Sequence, residues 1–127
     1  MRRLVALLAL AAAACSAAPD RGVIAQPLAD KVVRGLCGTI AAAEGTDPGS
    51  AAAPFFDDAH DGLHLFAAAA TDGSAGDAAV LLEAKTRVEA DLATEPPAPS
   101  LAADARALLA ATATVLGDLD LAVPPCA

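Results

Sequence analysis

Tryptophan and tyrosine are absent from this chain of 127 residues, which has only 3 Phe and 1 Met. Without aromatic bulk a core must be filled by aliphatic side chains, and these are scarce too. Hydrophobic residues make up 56% of the chain, but 37 of them are Ala; the larger ones number 31, six of them within the first ten residues. The remaining 25 make a thin core. Val and Ile together number ten, too few β-branched side chains for a sandwich or barrel, whereas Ala is the best helix former and is depleted in strands. The expected fold class is all-α. Basic residues are also few, 8 Lys plus Arg against 16 Asp plus Glu. That balance excludes a nucleic-acid partner, because such binding depends on Lys and Arg neutralising phosphates. No apolar run approaches the ~20 residues needed to cross a bilayer, so no transmembrane helix is expected in the mature protein.

The amino terminus reads as an address. Met1, Arg2 and Arg3 give a basic start, residues 4–14 form an eleven-residue apolar run, and small residues continue through Ala18, the three-part layout of an export signal. Residues 1–14 are assigned to it, with 18 as the alternative end. The string Ala12, Ala13, Ala14, Cys15 resembles the lipobox of bacterial lipoproteins, with Ala12 where Leu is usual. That resemblance implies that Cys15 is diacylated and becomes the mature amino terminus, so that the protein touches the membrane only through its lipid. The alternative is ordinary cleavage after Ala17 or Ala18, which discards Cys15 and yields a free secreted protein. Loss of Arg2 and Arg3 leaves 6 basic residues against 16 acidic ones, a surface that favours solubility and cations.

Either route leaves two cysteines, Cys37 and Cys126, in an oxidising compartment, where they are expected to pair. Such a bridge closes a loop of about 90 residues and contributes about 4–5 kcal/mol on the loop-entropy account.

Residues 15–27 read as a tether with Pro19, Gly22 and Pro27, and residues 28–127 as the domain. Four helices are expected within it, over residues 28–44, 54–71, 75–94 and 101–119. The first carries Val33, Leu36, Cys37 and Ile40 on one stripe, with Cys37 pointing inward, and Gly35 and Gly38 leave room for another backbone. Turn formers between 45 and 53 break the chain. Ser74 and Asp77 have capping-box spacing. The third helix places Ala78, Leu81, Val88 and Leu92 inward and a solvated charged face outward, with pairs Glu83–Arg87, Lys85–Glu89 and Arg87–Asp91. Ser100 is positioned to cap the fourth, whose stripe is Leu101, Ala105, Leu108, Thr112, Val115 and Leu119. Helices about 25–30 Å long joined by short loops point to an up-down four-helix bundle with one disulfide.

The one constellation with possible chemistry is FFDDAHDGLHLF at 55–66. On an ideal helix with Phe55 at 0°, Phe56, Ala59, Leu63, Phe66 and Ala70 fall between about 20° and about 100° and define the buried face, while His60 and His64 lie on its flank, one turn apart, beside Asp57 and Asp61. Two His at i and i+4 can ligate one metal, with a carboxylate completing the shell. The candidate ligands are His60, His64 and Asp57; imidazole and carboxylate donors suit Zn, Cu(II), Ni or Fe, and the lack of Met in the mature chain argues against Cu(I). The alternative is that His60 is a border residue bonded locally, His64 is solvated, and the aspartates serve the helix dipole; a partner-binding or pH-sensing patch is the third reading. No enzyme is expected. HDGLH superficially resembles the zinc-protease HExxH, but Asp61 replaces the Glu and Gly62 interrupts the helix, Gly73 to Gly76 is not a GxSxG elbow, and there is no CxxCH haem motif.

The span 55–92, FFDDAHDGLHLF followed by LLEAKTRVEADL, resembles the central helical pair of small exported proteins of high-GC Gram-positive bacteria, with the pattern FxxxHxxLH then LxxAKxxVExxL. The resemblance implies helices and draws attention to His60, His64, Lys85 and Glu89; no activity is attached to that group. The sequence thus points to an exported, lipid-anchored, acidic helical module that binds an envelope protein, or alternatively to a transition-metal-binding accessory protein.

Overall fold

The computed structural model describes residues 24–127; the export signal, Cys15 and most of the tether lie outside the described residues. Four α-helices account for most of what is described, with no strand among these residues: α1 (Gln26–Glu44), α2 (His60–Ala70), α3 (Ala75–Leu92) and α4 (Leu101–Asp118). None is long and apolar enough to cross a membrane. A 3₁₀ turn (Pro48–Ala51) and a π-helical segment (Pro54–Ala59) lie between α1 and α2. α1 starts two residues before the expected point because Pro27 is accommodated in its first turn, where a missing N–H leaves no intrahelical bond unmade.

Each helix buries most of the stripe its apolar spacing dictates, with Cys37, Ile40, Leu92 and Leu119 left half-buried at the margins. In α4 the buried residues are Leu101, Ala105, Leu108, Ala111, Thr112, Val115 and Leu116, and the Thr112 hydroxyl is satisfied by the Leu108 carbonyl at 2.7 Å. α3 packs on α4 and α2, and α1 packs on α4 and the π-helical segment. Polar contacts fix the directions. Gln26, at the start of α1, meets Ala122 beyond the end of α4, whereas Glu44, at the end of α1, pairs with Arg106 near the start of α4. Ala and Gly lining brings backbones close. A Cβ on Gly35 would lie 2.8 Å from both the Pro54 carbonyl oxygen and the Asp58 Cβ, and one on Gly62 would collide with Val32. Gly62 therefore does not interrupt the helix; it is buried within α2 and admits α1.

The wheel expected for the second helix fails at its start. The His60 N–H bonds to the Phe55 carbonyl, five residues back. Across this wider turn Phe55 and Ala59 both face inward, whereas Phe56 is 47% exposed. The third helix differs too. Its charged residues do not all form a solvated face: Lys85 and Asp91 are buried. Arg87 bonds Glu83 at 2.9 Å as expected, but its other carboxylate partner is Asp104, at 3.7 Å, rather than Asp91. Neither Ser74 nor Ser100 makes a side-chain cap bond; the Ser100 hydroxyl donates instead to Asp91 Oδ1 at 2.9 Å.

Cys37 and Cys126 form a disulfide, their Cα atoms 5.5 Å apart. Cys37 sits half-buried at the margin of the α1 stripe, not inside the core as the stripe suggested, because the tail reaches it from outside the helices. The turn is made after α4, where Leu121 N–H bonds to Leu116 C=O and Asp120 N–H to Gly117 C=O. This is a Schellman ending with Asp120 at φ 57°, the left-handed position that glycine favours. Asp120→Gly is expected to raise the unfolding free energy by about 1 kcal/mol, read from the urea midpoint; a lower midpoint would show that the aspartate is preferred there. Gln26 Oε1 and Nε2 then hold both the N–H and C=O of Ala122 at 2.9 and 3.0 Å.

Candidate functional site

The site lies where the π-helical segment joins α2 and faces α3. His60 opens α2, and its ring, 26% exposed, reaches Glu89 on α3, with Nε2 2.9 Å from Oε1, and Asp61, with Nδ1 3.0 Å from Oδ1. Carboxylates only accept, so both contacts are donated together only by the doubly protonated ring; the neutral ring keeps one. The same Glu89 oxygen accepts from Lys85 Nζ at 2.5 Å. Lys85 is only 3% exposed. It sits four residues after Leu81 and three before Val88, on the buried stripe, and Glu89 one turn later is its counter-charge.

Burial pushes the Glu89 carboxyl up, but the Lys85 ammonium and the His60 ring, by hydrogen bond and by charge, more than offset this and hold it below the usual glutamate range. The hydrogen bond from His60 likewise lowers Asp61. For Glu89 the sign is that of a depressed acid: its stabilisation is complete above the ordinary glutamate pKa and is lost as pH falls through the lowered value. Glu89→Ala is expected to cost about 2 kcal/mol at neutral pH, since it leaves a buried ammonium unsatisfied, and to flatten the acid side of the stability profile. Urea unfolding across pH measures both; an unchanged profile would mean that Lys85 finds another partner.

The His60 and His64 rings stand edge to face, centroids 5.0 Å apart, and Phe56 lies 5.6 Å from His60. The structure therefore brings the two histidines together on one edge, with His64 exposed. Asp57 is also exposed and does not join them: among the described residues no group of three or more His, Cys, Asp and Glu is placed to hold a metal ion. A metal on His60 would have to replace a hydrogen bond to Asp61 or Glu89. Spacing located the histidine pair and the Lys85–Glu89 pair; it did not reveal that Lys85 is buried or that Glu89 also meets His60, although LxxAKxxVE places Lys85 among apolar neighbours. Cys15 lies outside the described residues. No protein-family model matches the chain, and neither curated proteins nor solved structures show significant similarity to it.

Proposed function

We propose that this chain is an exported binding or accessory domain that works outside the cytoplasmic membrane, held there by a lipid on Cys15, with its helices arranged as an up-down bundle and no catalytic activity of its own. The observation that carries this reading is the disulfide between Cys37 and Cys126, a bond that persists in oxidising compartments. The antiparallel contacts of α1 with α4, and of α2 with α3 through His60 and Glu89, support the bundle. The edge formed by Phe56, His60 and His64 supplies apolar and titratable surface for an envelope partner. The test is the intact mass of the protein extracted from its native envelope, before and after reduction. A diacylated Cys15 terminus and a two-proton gain on reduction are expected. Recovery of full-length, unprocessed protein with free thiols from the cytoplasm would overturn the proposal.

A second reading, transition-metal binding, is favoured by the two adjacent imidazoles. The mature protein would then take up about one Zn, Cu(II), Ni or Fe ion per chain through His60 and His64, and replacing both histidines by Ala would abolish uptake. No uptake at micromolar metal would end it.

A further inference from the structure

One polar atom among the described residues is buried and has no hydrogen-bond partner: Asp91 Oδ2. Asp91 lies in the last turn of α3 and is 8% exposed. Its other oxygen, Oδ1, accepts from Ser100 at 2.9 Å, and its backbone carbonyl accepts from Ala98 N–H at 3.0 Å and Thr94 Oγ1 at 3.1 Å. This residue therefore fastens the connection between α3 and α4 by side chain and backbone together. A carboxylate oxygen without a partner in such a place is costly.

The neighbouring group explains it. Asp104 sits one helical turn after Ser100, whose carbonyl accepts the Asp104 N–H at 2.9 Å, and so lies on the same face of α4. It is also 3.7 Å from the Nε of Arg87, one turn before Asp91 on α3. Ser100, bonded to Asp91, and Arg87, one turn before it, thus both flank Asp104, and this carboxyl is near enough to act on Asp91 by hydrogen bond and by charge. Two ionised carboxylates there would repel, while one proton between them satisfies every atom.

We propose that Asp91 and Asp104 form a proton-binding site, in which Asp91 is the protonated partner and donates its Oδ2–H to the Asp104 carboxylate. Several features place the proton on Asp91. Arg87 neutralises Asp104, and Asp104 lies in the first turn of α4, whose dipole favours a negative charge, whereas Asp91 lies at the carboxyl end of α3, whose dipole opposes one. Ser100 supplies the remaining donor. Burial and the hydrogen bond to Asp104 both push the Asp91 carboxyl up, against the opposite pull of Ser100. The charged groups facing this pair are Arg87 and, through Arg87, Glu83; α2, the other helix packed on α3, directs His60 to Glu89. Glu95 in the connection is exposed.

The consequence is a hairpin that tightens on acidification. For an acid whose pKa is raised by folding, stability increases as pH falls through the folded value and levels off at the ordinary aspartate value. At the other end of the same hairpin Asp77 is raised as well, by a hydrogen bond with Asp118. A comparison with Asp91→Asn removes their contribution, because they are present in both proteins.

The experiment is thermal unfolding of the wild type and of Asp91→Asn between about pH 4 and about pH 8, with infrared spectra of the folded proteins. The Asn amide accepts from Ser100 and donates to Asp104, mimicking the protonated acid. The variant is expected to match the wild type near pH 4 and to exceed its Tm by about 5 °C near pH 8. The wild type should show the carbonyl stretch of a protonated carboxylic acid at mildly acidic pH, lost in Asp91→Asn and in Asp104→Asn. A variant with the same pH slope as the wild type, or a wild type with no protonated-acid band, would overturn the proposal.

Discussion

Replacing Cys37 and Cys126 together by Ala is expected to lower the unfolding free energy by about 4–5 kcal/mol, the largest loss of any simple change to this molecule. The bridge joins residues 89 apart in sequence, so it removes from the unfolded chain nearly the whole freedom of the domain. A thin core makes the proportion large. Domains of this size hold together by about 5–15 kcal/mol, and only a dozen large side chains are fully buried here, two of them aromatic. The tail should detach at the same time, since beyond Ala122 its tie to α1 is the sulfur bond. Urea unfolding of the oxidised wild type and the double variant measures the difference. A loss below about 1 kcal/mol would show that the unfolded chain gains little freedom from the missing link.

Phe55→Ala comes next, with an expected loss of about 3–5 kcal/mol. Phe55 is fully buried against α1 and is, with Phe66, the bulkiest group in the core. The neighbouring Phe56→Ala should move stability by no more than about 0.5 kcal/mol, since that ring lies half in water over His60. The contrast between adjacent phenylalanines tests the π-helical turn directly. In an uninterrupted α-helix both rings border the buried stripe, and two comparable losses in urea unfolding would mean that the turn is regular.

What could be read from the residues beforehand was whatever depends on neighbours along the chain. The helix ends follow from Pro and Gly punctuation: α1, α3 and α4 fall within about two residues of their expected limits, whereas the second helix, expected from residue 54, is π-helical over Pro54–Ala59 and becomes α2 only at His60. The stripes of α1 and α4 follow from apolar spacing. The partnership of Cys37 with Cys126 follows from the number of thiols left once Cys15 is set aside as part of the expected export signal. The features that depend on contacts between helices were largely not legible. Gly35 and Gly38 announced the close approach of another backbone, which is that of Pro54 and Asp58, but the extra residue in the turn before His60 has no local pattern. Ser100 has the composition of a cap, yet it serves Asp91, because a partly buried carboxylate nine residues back competes for the same hydroxyl. Lys85 reads as part of an outer charged face when paired only with its own helix, whereas in the fold it is buried and its partner Glu89 is also held by His60 from α2. The candidate site was thus half legible: the histidines through their spacing, their acidic and basic partners on α3 only through packing.

The tail that leaves α4 at Asp120 runs beside α1 and is welded to it at Cys37. Mechanically this is a short circuit. Tension applied between the beginning of α1 and Cys126 passes through residues 26–37 and across the sulfur link, leaving the other helices slack within a closed ring. Pulling would peel the first three turns of α1, and with them Val32, Val33 and Leu36, while α2, α3 and α4 bore no load. For a domain tethered at one end, resistance to being pulled apart would be set by the grip on those three turns rather than by the cohesion of the whole.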